Sequence, residues 1–467
     1  MRKLQAISAL AVAVSAGWAL PAAAQVSKSA AVLEELQAMR AKMEVMAQRI
    51  DNLESELEQA NAKAEAASQS AQVARADAST ARKSAEEASP VKVAWKGAPK
   101  FSDDKGWSFK PRGRIQVDIG GTDAPSGLSK GANASLGTAT EVRRAWLGFE
   151  GTMPGGIGYR FDADLTNSSL ALADAYISYK ANRNLTLVLG NQRPFTGLED
   201  MTAVLNTTFM ERSSFSQAFG FERRVGIAAN YKTKDVLVEA GLFADDMSSM
   251  SADTDKSWSL NGRVVFMPKL GNGTLHLGAS AQYHDLAGSV TSTRYRTRPF
   301  LHTADVRLVD TGSITATSER RYGVEAAYMT GPFHAVVEGN AITAVRPGLS
   351  NPTFKGGYAE VGYVLTGEKA PYKGGIFDRL RPAKGIDEGG IGAIQVNLRF
   401  DHLDLNDSDI VGGRQDTAGV SLVWAATSNL RFTANYGHLW LRDAAITADG
   451  DDSYTADSMG MRAQIDF

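Results

Sequence analysis

The chain has no cysteine among its 467 residues, which excludes disulfide scaffolds, thiolate metal sites and thiol nucleophiles. Beyond residue 25 it also lacks any run of about 18 apolar residues, so no transmembrane helix is expected in the mature chain. An excess of one charge is missing too. The 50 basic and 52 acidic residues nearly balance, which argues against nucleic acid as a partner. His276, His284, His302, His334, His402 and His438 are scattered without metal-ligand spacing. No nucleophile elbow, HExxH, Walker loop or dinucleotide fingerprint stands in a supporting context. Neither an enzyme nor a metal or cofactor site is therefore expected. Any selectivity must come from where individual charges are placed.

Arg2 and Lys3, the apolar stretch Leu4–Leu20, Pro21 and Ala22-Ala23-Ala24 follow the order of a signal peptide cleaved before Gln25. Residues 1–24 are thus expected to be removed. An exported chain without a helical anchor is periplasmic, secreted, or built into the outer membrane as strands. Residues 26–89 contain no glycine, proline or aromatic residue. Apolar positions recur there at alternating steps of four and three, through Val32, Leu36, Met39, Met43, Met46, Ile50, Leu53 and Leu57, then alanines from Ala60 to Ala88. This period of 3.5 predicts an α-helical coiled coil about 85 Å long, because a lone helix would leave the stripe in water. Where the seam narrows to alanine, near residue 60, the helices should approach more closely.

Residues 90–107 break this pattern with proline and glycine and are expected to form a linker. From Trp107 onward glycine and aromatic residues become frequent, and segments of about ten residues alternate apolar and polar positions, the length of a tilted strand crossing a bilayer. In GIGYRFDADL, Tyr159, Phe161 and Ala163 oppose Arg160, Asp162 and Asp164. Short turns, such as Met153–Gly156 and Thr427–Asn429, alternate with long connections at 121–140, 191–220, 244–256, 285–318, 343–355, 404–413 and 441–455. Sixteen segments result, from 108–119 to 457–467. The expected fold is an all-β transmembrane barrel of 16 antiparallel strands over 108–467, preceded by the coiled coil. The connection 367–390 is too long for the end at which it falls. The last segment, SMGMRAQIDF, alternates to an aromatic terminus at Phe467, which looks like the signal that bacterial outer-membrane barrels present to their insertion machinery.

The run LVLGNQRPFTGLEDMTAVLNTTFMERSSFSQAFGFERRVGI at 187–227 closely resembles the phosphate-selective porin O and P family. Blocks around Tyr363–Glu368, with Tyr372 and Pro382, and from Gly392 to Leu405 resemble it as well. This resemblance implies a trimeric sixteen-stranded outer-membrane porin, in contact with lipid, that passes phosphate or other small anions by passive diffusion. It also implies that the loop at about 191–220 folds inward to narrow the pore. Phosphate-selective members place a lysine in that loop. Here Leu198–Met210 has no lysine or arginine and carries Glu199 and Asp200 instead, a departure that bears on phosphate selectivity.

Pores discriminate ions by charged side chains at their narrowest part, and a guanidinium offers a phosphate several donors. Strand parity places Arg112, Arg114, Arg144, Arg160, Arg224, Arg263, Arg321, Arg399 and Arg431 on the lumen face, with Arg193, Arg212 and Arg223 bordering the inward loop. A charge on the lipid face would cost about 2–4 kcal/mol, so inward placement is required in any case. For a single arginine, bracing the wall against a lumen acid is the commoner role; as a set they form a candidate anion pathway. Glu211 reads as an anchor of the loop. Arg294, Arg296 and Arg298 lie in an outer loop and read as a solvated face. Two other functions stay open: a porin of broader or different selectivity, admitting cations past Glu199 and Asp200, and an envelope tether whose coiled coil, in the periplasm, binds peptidoglycan.

Overall fold

Alternation in the sequence becomes an inside-out sheet in three dimensions. The computed structural model describes residues 22–88, 91–95, 97–129, 136–166, 170–244, 257–286 and 292–467. All but the last residues of the expected signal peptide lie outside the described residues. The chain divides into two units, Met1–Ser89 and Pro90–Phe467.

The first unit is one helix, Ala22–Ala88. Its large seam residues, from Leu36 to Leu57, are each more than half exposed. Nothing within the helix itself covers that stripe.

The second unit is a closed antiparallel barrel. Its sixteen strands are Ser108–Asp123, Ala139–Met153, Ile157–Asp164, Ala171–Lys180, Leu185–Gln192, Arg224–Lys232, Val236–Phe243 and Trp258–Phe266, then Gly273–Asp285, Ser318–Thr330, Phe333–Val345, Thr353–Val364, Ala393–Asp407, Ile410–Ala425, Leu430–Arg442 and Tyr454–Asp466. The last strand pairs with the first, from Asp466 opposite Arg114 to Asp457 opposite Asp123. No open edge is left at this seam, as a membrane barrel requires. Phe467 finishes the closure: its backbone exchanges two hydrogen bonds with Gly113, and its ring fills the space a side chain at Gly113 would need.

Along the first strand, Ile115, Val117 and Ile119 are 46–50% exposed while Gln116 and Asp118 are at most 1% exposed. The same inversion runs through Met459, Met461 and Ile465 against Arg462 and Gln464. In water this outward apolar band would be costly; in lipid it is the favourable face. Phe101, Phe109, Phe149 and Phe161 form a ladder with ring centroids 5.3–6.4 Å apart near the short-turn end, placing aromatic bulk where a bilayer interface would fall.

Four segments depart from the sequence expectation. The stretch 90–107 holds a hairpin, Lys92–Trp95 with Pro99–Ser102, whose second strand pairs with the first barrel strand. The expected loop 404–413 is mostly strand, because Ala393–Asp407 and Ile410–Ala425 run on into a two-residue turn with Ser408 at positive φ. The long connection 367–390 folds back into the lumen. There the Tyr372 hydroxyl lies 2.5 Å from His276 and the amide of Phe377 donates to Thr202. Lastly, the connection after Asp285 also turns inward, through paired segments Ser292–Thr293 with Ile314–Thr315 and Arg296–Thr297 with Val309–Asp310. Its Phe300 meets Phe209 at 5.9 Å and occupies sockets that exist because Gly419 and Gly437 have no Cβ.

Candidate functional site

The inward loop runs between the strands ending at Gln192 and beginning at Arg224, with two short helical turns, Leu198–Met201 and Ser214–Ala218. Irregular backbone at membrane depth is tolerated where it is held by protein or lines an aqueous lumen, and here the barrel wall supplies partners. Asp401 accepts from the amide and hydroxyl of Ser214 at 2.6 and 2.5 Å. Glu338 accepts from the amide of Glu199 at 2.9 Å, and Glu360 from the Thr208 hydroxyl at 2.7 Å. Arg431 donates to the carbonyls of Leu205 and Thr207.

Three of the loop's acids, Glu199, Asp200 and Glu211, face cations, while Glu222 is exposed and lines the large cavity. Glu199 sits 2.9 Å from Arg399, which also holds Glu360 at 2.8 Å. Its other oxygen accepts from Ser213 and Ser216. Asp200 lies 3.2 Å from Arg321. Glu211 is gripped by Arg143 at 2.9 Å and Arg462 at 2.7 Å. Burial alone would raise the pKa of Asp200 and Glu211; the adjacent guanidiniums outweigh it and hold both below their ordinary values, Glu211 well below.

The predicted arginines separate into two groups. Arg263 is tied to Glu325 at 2.7 Å, to Glu239 at 3.1 Å and to the carbonyl of Gly375, clamping the inward turn to the wall. Arg112 pairs with Glu150 and Asp162, Arg160 with Asp162 and Asp174, and Arg223 with Asp174. Arg212 donates to the carbonyls of Glu199, Asp200 and Thr202. Arg224 stacks on Phe221 at 4.2 Å. With Arg399, Arg431 and Arg321, these brace wall and loop.

Arg114, Arg144 and Arg193 have no carboxylate in ion-pair contact among the described residues. Arg114 lies 4.1 Å over the ring of Trp146, Arg144 donates only to Gln116, and Arg193 has no hydrogen-bonded partner. Burial, then Arg212 and Arg223 beside it, keeps Arg193 below the usual guanidinium value. It remains cationic at neutral pH. All three line one cavity of about 1070 Å³. Arg143, Arg160, Arg212 and Arg223 share its wall, as do Arg294, Arg296, Arg298 and Arg307 from the outer connection. Arg294 and Arg296, expected with Arg298 as a solvated face, stay exposed and border this cavity together with Arg298. The reason they border it is the inward seat of Phe300. Arg294 pairs with Asp310, and Arg298 donates to the carbonyls of His302 and Ala304.

A second cavity of about 220 Å³ shares Arg114, Trp146 and Ala203 with the first and lies toward the short-turn end. Lys110, Arg112, Arg379 and Arg381 line it. Arg379 and Arg381 come from the inward 367–390 turn, whose position no local pattern predicts. Arg143 was legible only in part. Alternation points it to lipid, but the register slips between Gln116 and Val117, opposite Arg144 and Val142, and the extra residue turns Arg143 toward Glu211.

The model of the family described as phosphate-selective porin O and P matches residues 109–467. An uncharacterized protein of Caulobacter vibrioides is 41% identical over 390 residues, covering 81% of this chain and 78% of its own. Porin O of Pseudomonas aeruginosa is 26% identical over 368 residues, covering 71% and 80%. Among solved structures, in-vitro folded OmpT, an outer membrane protein of Vibrio cholerae, aligns with a TM-score of 0.51 over 78% of this chain and 99% of its own, at 12% identity. The last likeness speaks for the fold alone.

Proposed function

Because this chain belongs to the phosphate-selective porin O and P family, we propose that its lumen passes small anions by passive diffusion, phosphate among them. It is an outer-membrane porin, a non-enzymatic channel. One observation carries the anion preference. Glu199, Asp200 and Glu211 of the inward loop are engaged by Arg399, Arg321, Arg143 and Arg462, whereas Arg114, Arg144 and Arg193 face the large cavity without such partners. A buried cation without a counter-ion is costly, and a permeant anion relieves that cost as it passes. The acidic pair Glu199 and Asp200, which opened the possibility of cation passage, is thereby spent on bracing. Phosphate fits the fork geometry of guanidinium even though Leu198–Met210 offers no basic residue.

Bilayer recordings in a salt gradient test this reading. A reversal potential of the sign set by chloride is expected, with chloride conductance falling as millimolar phosphate competes. Current carried mainly by cations refutes the anion reading. Chloride conductance indifferent to phosphate leaves a broader anion porin. Assembly as a trimer in the outer membrane, with the helix in the periplasm, goes with this proposal, since family members are typically trimeric.

The long helix Ala22–Ala88, an appendage that conduction does not require, favours a second role beside permeation, a tether to peptidoglycan. Deleting residues 26–89 should then weaken the envelope and abolish peptidoglycan pull-down. Unchanged results on both would remove this role.

A further inference from the structure

The charges beside the helical seam carry information the seam itself does not. Leu36, Met43, Ile50 and Leu57 occupy heptad position a, and Met39, Met46 and Leu53 position d. In a parallel, unshifted coil each g residue meets the e residue five places later in a neighbouring copy. Glu35 then meets Arg40, Arg49 meets Glu54, and Asp77 meets Arg82. All three contacts join opposite charges, and no g–e contact between 32 and 88 joins like charges. A slip of one heptad in one sense sets Lys42 against Arg40 and Glu56 against Glu54; in the other it sets Lys63 against Arg75. Like charges thus appear only when the register is wrong.

Two more observations fix the occupant of the seam. A strict seven-residue repeat drifts by about 20° per heptad on a straight helix, so a stripe kept from 32 to 88 stays on one partner only if the helix supercoils around another of the same repeat. No second segment of this chain has that repeat. Every copy also leads from the C-terminal end of its helix into its own barrel, and barrels in one membrane put those ends on the same side. Parallel is the sense this connectivity allows.

We propose that residues 32–88 are a self-recognition surface: copies of this chain join along it in parallel and in register, with Glu35–Arg40, Arg49–Glu54 and Asp77–Arg82 contacts selecting that register. The proposal rests on the coiled-coil reading of the helix and is independent of what the pore conducts.

The absence of cysteine supplies a clean test in the full-length protein. Leu53→Cys puts one thiol at a d position, where an unshifted parallel coil brings copies within disulfide reach. Oxidised in membranes, this variant should double its apparent mass on non-reducing gels. Ser55→Cys, on the outward face, should stay single, and Ala60→Cys, a milder change at d, should repeat the first result. Cross-linking of Leu53→Cys no better than that of Ser55→Cys overturns the proposal. So does preferential cross-linking between Leu53→Cys and Met46→Cys copies, which reports a slip, or between Leu53→Cys and Ala64→Cys copies, which reports an antiparallel pair, since antiparallel coils set a positions against d. Adding Arg49→Glu should slow the Leu53→Cys reaction, and Glu54→Arg in the same chain should restore it. A rate indifferent to both refutes the charge register. Wild-type conductance through these variants keeps the outcome separate from the permeation reading.

Discussion

Neutralising Arg193 should weaken the anion preference about tenfold. The cavity it lines, about 1070 Å³, has the volume of a sphere of about 6 Å radius, so a permeating ion passes within about that distance of the guanidinium. At 6 Å one unit charge acts on another with about 0.7 kcal/mol in a water-like medium and about 3 kcal/mol at the effective dielectric of a protein surface. A screening length of about 8–10 Å at physiological salt does not erase this. Losing the charge destabilises the anion and relieves the cation by like amounts. Even the lower limit therefore changes their ratio by about 1.4 kcal/mol, or tenfold. Arg193→Gln keeps polarity and most of the volume. Reversal potentials in a tenfold KCl gradient would measure the effect, with Arg442→Gln, at the exposed rim and paired with Asp416, as a control near zero. Should Arg193→Gln and the triple variant with Arg114→Gln and Arg144→Gln both retain the wild-type potential, the unpaired arginines do not set selectivity.

Removing an anchor should free the inward loop: Asp401→Ala strips Ser214 of both acceptors, at about 1–3 kcal/mol per stranded donor, and should appear as current noise and faster protease cutting within 193–223. Gly437→Val should expel Phe300 from its socket and raise single-channel conductance as the outer connection swings away; unchanged conductance would mean that connection does not narrow the pore. The Glu211 anchor has a pH signature. Its pKa in the folded protein is depressed, so its contribution is full above the ordinary carboxylate value and is lost only as pH falls through the depressed one. Open-channel noise should stay flat from neutrality to about pH 4.5 and rise below it, while Glu211→Gln should be noisy throughout that range.

Much of the architecture was legible because it rests on local rules. Period-two alternation reports which medium each face of a strand meets, and it survived in strands such as Ser108–Asp123 without knowledge of their neighbours. The inward loop could be placed by resemblance, and Glu211 could be named as its anchor. The inward turn of the outer connection was not legible, because polar sequence alone does not reveal that a single aromatic knob draws part of it into the lumen while Arg294 and Arg296 stay exposed.

The sequence by itself determined the helix with its seam, the sixteen alternating segments, the inside-out barrel and an aromatic terminus to close it. Only the tertiary structure decided which charges are spent and which are free. Arg462 meets Asp118 across 344 residues and Glu211 across 251. Arg143 enters the lumen through a bulge that no alternation rule anticipates. The physical reason is range: burial against lipid or water is a property of each residue, whereas neutralisation is a property of pairs, and barrel closure brings together partners that the chain keeps far apart.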